Sequence, residues 1–221
     1  MEDILISPAN TIVLGLPGWF LFTVIPLIGI GAFIYILARR MIPLAKGAPD
    51  PRLDRFGERI KFVVQYWLGQ YKQPRYMLAG VLHILIFAGF LILSVRSISL
   101  VFIGVDPDFV LPGLSGFLGD IYNFLKDYAA TIVLVACIAA SIRRGVFKPE
   151  RYKVPPKYGH EHTGEAIFVL GLIGALMVFE SLFAASHVAT QLQHDLPAEF
   201  LAPGSLAWLM SVILSGASTN V

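Results

Sequence analysis

Residues 75–99 read RYMLAGVLHILIFAGFLILSVRSIS. Between Arg75 and Arg96 the stretch holds no Asp, Glu, Lys or Arg and a single histidine, His83. About 20 apolar residues carry a helix across the hydrocarbon core of a bilayer, so this stretch reads as a membrane-spanning helix. A backbone in lipid must satisfy its own hydrogen bonds, and a helix does so within one segment.

The rest of the chain follows the same logic. Its 221 residues are 56% hydrophobic and only 14% charged, with a mean hydropathy of +0.71. Soluble domains carry about 25% charged residues, so the composition points to an integral membrane protein. Long apolar runs between polar loops imply an all-α bundle rather than a barrel. The expected spans are residues 18–38, 76–102, 120–142 and 165–190. An amphipathic surface helix is expected at 52–70 and a short apolar helix at 203–215, all in a single membrane domain over residues 1–221. Residues 203–214 are too short to span and suit an interfacial or re-entrant helix, or one cut short.

Of the 17 Lys and Arg, all but Arg96 and Lys126 fall in residues 38–75 or 143–164. The positive-inside rule makes both loops cytoplasmic and puts the N-terminus outside. The acidic start, MEDILISPAN, lacks the basic region of a cleavable signal peptide. The expected location is the cytoplasmic (inner) membrane of a bacterium. Nothing in the charge pattern suggests nucleic acid. Lys126 and Asp127 lie in the first turns of the third span, within reach of the interface by snorkelling.

In the first basic loop, Leu53, Phe56, Ile60, Val63, Val64 and Trp67 share one helical face, while Arg55, Glu58, Arg59 and Lys61 fall mostly elsewhere. Such a helix lies on the inner membrane surface, bound to anionic lipid or contacting a partner.

Ionisable groups within spans are the first candidates for function. His83 shares a face with Gly80, Phe87, Phe90 and Ser94. A small residue one turn before a histidine, with aromatic rings after it, would let a flat macrocycle approach the backbone, as in a haem-ligating helix. The alternative is a histidine hydrogen-bonded to a neighbouring helix. Glu180 and His187 are seven residues apart on one face of the fourth span, with Gln191 and His194 roughly continuing it. They would relay protons in quinone chemistry, or Glu180 would pair with a neighbour such as Arg96. His160 and His162, in KYGHEHTGE, form an H-x-H pair in a polar loop and are weaker candidates for metal or haem. The one cysteine, Cys137, excludes a Cys-rich iron–sulfur site within these residues. His83 falls in the inner half of its helix and His187 at the outer end, so the two do not share one haem.

The basic loop, its amphipathic helix and the inward-side histidine, in the block LDRFGERIKFVVQYWLGQYKQPRYMLAGVLHILIFAGF, resemble a known family. The order is similar to the membrane haem-b domain of the nitrate reductase gamma subunit. It is also similar to that of heterodisulfide-reductase-related, membrane-bound iron–sulfur oxidoreductases that link electron-transfer flavoprotein to quinone. The resemblance implies a five-helix haem-b domain followed by a cytoplasmic domain with two iron–sulfur clusters. It implies that His83 is an axial ligand of haem iron; the spacing on its helix would then pack Gly80 against the haem. It further implies electron-transfer flavoprotein and a cytoplasmic iron–sulfur domain as partners, with menaquinone as the quinone; from the residues themselves, Glu180 and His187 are expected to line a quinone or proton route on the outer side. The clusters would lie only in that domain or partner, since the chain has no histidine-bearing fifth span and no cluster cysteines. It is therefore expected to be an N-terminal piece with the fifth span missing. The competing expectations are a non-redox anchor for a cytoplasmic enzyme, and a transporter subunit, for which no inverted repeat is found.

Overall fold

The computed structural model describes residues 8–48, 54–150 and 162–216. It is an all-α membrane bundle with four helices long and apolar enough to span a membrane. These are α1 (Gly18–Ala45), α3 (Met77–Ile103), α4 (Phe117–Ile142) and α5 (Thr163–Gln193). Between them lie the short α2 (Phe56–Phe62) and, after α5, the ten-residue α6 (Leu206–Ser215). Helix α1 runs on to Ala45, past Arg39, Arg40 and Pro43, beyond the expected end at 38. Helical hydrogen bonding does not stop where the apolar run stops. Helix α4 likewise starts three residues early, and α5 runs on to Gln193.

The chain forms two compact units. The first comprises, among the described residues, 8–48, 54–72 and 97–111. A 3-10 turn, Pro8–Asn10, leads into a two-residue antiparallel pair, β1 (Ile12–Val13) with β2 (Leu16–Pro17), turned through Leu14 and Gly15 at φ 53° and 80°. That hairpin was not legible in the apolar lead. Helix α1 begins directly after it, and the Phe22 ring lies against Gly104. Helix α2 continues into a π-helical turn, Val63–Leu68, closed by Gly69 N–H donating to the Val64 carbonyl at 2.8 Å. The extra residue per turn shifts the following side chains around the axis.

The second unit comprises, among the described residues, 73–96, 112–150 and 162–216. Its apolar core joins three helices through Leu93 of α3, Ala129, Val133 and Cys137 of α4, and Met177 of α5. A Cβ on Gly89 would collide with the Val133 side chain, so the missing side chain is what lets α3 and α4 approach there. Tyr122 of α4 donates its hydroxyl to the Ile92 carbonyl at 3.2 Å, and Gly174 of α5 sits beside Leu134. Together with the Arg96–Glu180 pair below, these ties set the register: α3 and α5 run in one direction and α4 against both.

After α5 the chain turns back on itself. Residues 195–205 descend along α4, then α6 climbs beside α5, with Ala207 packed near Val188 and Ala184. Gln193 Nε2 donates to the Leu214 carbonyl at 3.2 Å, so the end of α6 returns to the end of α5. The segment expected at 203–215 thus forms a short helix, Leu206–Ser215, packed beside α5.

Candidate functional site

A buried non-helical backbone is stable only where protein groups satisfy it. Helix α4 supplies those groups. Asp127 Oδ2 accepts from Ala202 N–H at 3.0 Å, Thr131 Oγ1 accepts from Leu206 N–H at 2.9 Å, and Tyr128 donates to the Pro203 carbonyl at 2.7 Å. Ser205 caps α6 by accepting from Trp208 N–H at 3.2 Å. Lys126 Nζ stands 3.4 Å from Asp127 Oδ1. Both residues are buried, at 7% and 4% exposure. The expected snorkelling is therefore corrected. The hairpin covers this face of α4, so Lys126 and Asp127 are an interior pair rather than interfacial charges. Sequence reading missed their role because the segment that buries them lies 75 residues away. The signal available was Pro-Gly-Ser at 203–205, a turn and a helix cap before an apolar run.

One to two turns towards the start of α4, a second polar cluster joins three helices. Arg96 Nε donates to Glu180 Oε1 at 2.8 Å, with 21% and 12% of the two side chains exposed. Tyr122 lies within electrostatic reach of both. The pairing left open for Glu180 is the arrangement found. Glu180 and His187 are not brought together, since two helical turns, about 10 Å, separate them. His187 instead faces the hairpin. Its Nε2 is 3.3 Å from Gln191 Nε2 and 3.9 Å from Glu199 Oε1, while Gln191 Oε1 accepts from Glu199 N–H at 2.9 Å. The half-buried imidazole thereby meets the exposed Glu199 carboxylate at the Gln193 end of the bundle.

His83 is exposed on α3, with no hydrogen-bond partner among the described residues. Its ring stacks on Phe87, centroids 6.4 Å apart and planes 11° from parallel. Phe90, on the same face, is 63% exposed. Gly80 is buried, and a Cβ there would collide with the Gln73 carbonyl, so its open side is filled by the turn before α3.

The chemistry of one imidazole suits haem iron, whereas the space beside Gly80 that would receive a macrocycle is filled by Gln73. His83 presents an imidazole nitrogen on an apolar face, and Phe87 fixes the ring plane. The register excludes His187 as the second ligand. His83 lies about 20 Å along α3 from Arg96, and His187 lies about 10 Å beyond Glu180 in the opposite sense. His162 Nδ1 is 3.0 Å from Glu165 Oε2, both well exposed at the start of α5. His160 lies outside the described residues. Among the described residues no group of three or more His, Cys, Asp or Glu is placed to hold a metal ion.

No family model and no solved structure matches the chain. The chain is similar to the probable iron-sulfur-binding oxidoreductase FadF of Bacillus subtilis, with 26% identity over 161 residues. The match covers 72% of this chain and 21% of that relative, so the chain corresponds to about a fifth of the relative's length. The similarity is consistent with an oxidoreductase-related chain, and the four long apolar helices with a membrane protein.

Proposed function

We propose that the chain is the membrane part of an electron-transfer protein, with His83 an axial ligand to haem b. On this reading electrons pass between a cytoplasmic iron–sulfur or flavoprotein partner and menaquinone. The observation that carries it is His83 itself, an imidazole on an exposed apolar face of a spanning helix, without a hydrogen-bond partner among the described residues. Such a group is costly in lipid unless something covers it. The similarity to an iron–sulfur oxidoreductase supports a redox role in general.

Haem b, when bound, would supply one-electron chemistry. The chain's residues supply position and charge. His83 offers a nitrogen, and Phe87 holds the ring from one side. Arg96 donates to the Glu180 carboxylate within the bundle and fixes its position. His187, with Gln191 and Glu199, connects the interior to the surface at the Gln193 end and would exchange protons there. Placing the basic loops in the cytoplasm puts that end outside, in the inner membrane of a bacterium.

One observation favours a second reading, a non-redox anchor. The space beside Gly80, expected to admit a macrocycle, is taken by Gln73. The test is a reduced-minus-oxidised visible spectrum of the purified full-length protein beside His83→Ala. A b-type band lost in the variant supports the ligand. A band that survives moves the ligand elsewhere, and no band in either leaves the anchor.

A further inference from the structure

We propose that the rod Phe56–Leu68 lies in the head-group layer of the membrane and is drawn to anionic phospholipid by Lys61 and Lys72. No residue of the rod is buried. Phe56, Ile60, Val63, Val64 and Trp67 recur along one face, each about half exposed or more. A continuous apolar face of this kind is not left to water.

The chain limits what covers it. The rod follows α1 and precedes α3, both apolar enough to span a membrane, and eight residues connect it to α3. Half of that connection is the tight turn Gln73–Tyr76. The rod is thus tethered at both ends where spans enter the bilayer, and a lipid surface is the apolar boundary within its reach.

The charges decide which lipid. Arg59 donates to the Asp54 carboxylate and to its backbone carbonyl, each at 2.8 Å. Arg55 lies 3.4 Å from Asp54 and 3.8 Å from Glu58. Two carboxylates thereby offset two guanidinium groups. Lys61 and Lys72 have no carboxylate partner among the described residues. Gln70, buried and at φ 51°, donates Nε2–H to the Trp67 carbonyl at 2.6 Å, and Tyr71 N–H donates to the Gln65 carbonyl at 3.3 Å. This turn sets the Lys72 ammonium 4.8 Å over the Tyr66 ring, which stacks on Phe62 and meets Tyr71 edge-on. Aromatic rings flanked by lysine suit the head-group level, where rings meet acyl chains and ammonium groups meet phosphate. The uncompensated charge is positive, so the lipid is anionic.

The test uses the full chain in vesicles, with Trp19 and Trp208 changed to Phe so that Trp67 is the one remaining tryptophan. Brominated phosphatidylcholine, alone or mixed with phosphatidylglycerol, reports whether Trp67 reaches the acyl chains. Quenching is expected in both and stronger with phosphatidylglycerol. Lys61→Gln and Lys72→Gln should each lower the ratio of inserted to free rod about fivefold in anionic vesicles, and high salt should do the same. Lys61→Arg with Lys72→Arg should keep the effect, which separates charge from folding. Equal quenching in the two vesicle types would overturn the lipid preference. Trp67 open to aqueous acrylamide and untouched by bromolipid, or shielded only on adding soluble protein, would overturn the lipid surface itself. Neither outcome depends on haem.

Discussion

Arg96 Nε donates to Glu180 Oε1 at 2.8 Å, joining α3 to α5 across 84 residues of sequence. Both side chains are mostly buried, so each charge has little solvent within reach. Removing one partner strands the other. Arg96→Gln or Glu180→Gln should each destabilise the bundle by about 3 kcal/mol. Replacing both, as Arg96→Met with Glu180→Leu, should recover most of the loss. Thermal unfolding of the four proteins in one detergent measures it, and additive losses in the double variant would refute the coupling.

Asp127 and Lys126 should respond unequally. Asp127 holds both the Ala202 amide and the Lys126 ammonium. Asp127→Ala therefore leaves a buried donor and a buried charge, costing about 3–5 kcal/mol. Lys126→Met leaves Asp127 still bonded to Ala202 and should cost less. An order reversed in denaturation would show that the Asp127 carboxylate depends on Lys126 more than the hairpin depends on Asp127.

Thr131→Val keeps shape but removes the acceptor for Leu206 N–H. The expected loss is about 1–3 kcal/mol, localised to the hairpin. Hydrogen exchange should quicken over residues 195–206 and not along α3. Uniform acceleration would place the effect in global unfolding instead.

Gly89→Ala should cost about 1–3 kcal/mol, because the new methyl meets Val133 in a packed helix crossing. Gly29→Ala, where nothing lies within 4 Å, is the control and should be harmless. Equal stability of the two variants would mean that α3 and α4 can move apart freely.

His83→Ala should change apoprotein stability by no more than about 0.5 kcal/mol, since the ring is exposed and bonds nothing among the described residues. A large loss without any pigment would make His83 a packing residue and favour the anchor reading.

The sequence by itself determined the four spans, because hydropathy and length are local properties that lipid enforces on any helix. It also marked the chemically loaded positions, His83, Glu180 and His187, since an ionisable residue in an apolar run stands out without knowledge of its neighbours. The tertiary structure decided what those residues touch. Glu180 meets Arg96 and not His187, because α3 and α5 lie in parallel register while two turns separate the residues on one helix. Gly80 admits Gln73, because a turn folds back where only a helix face was visible. Lys126 and Asp127 are interior, because a hairpin from 75 residues away returns to cover them. Periodicity reports which side of a helix is apolar. It does not report which distant segment comes to lie against that side, and that choice settled the Arg96–Glu180 pair and the Asp127–Ala202 contact.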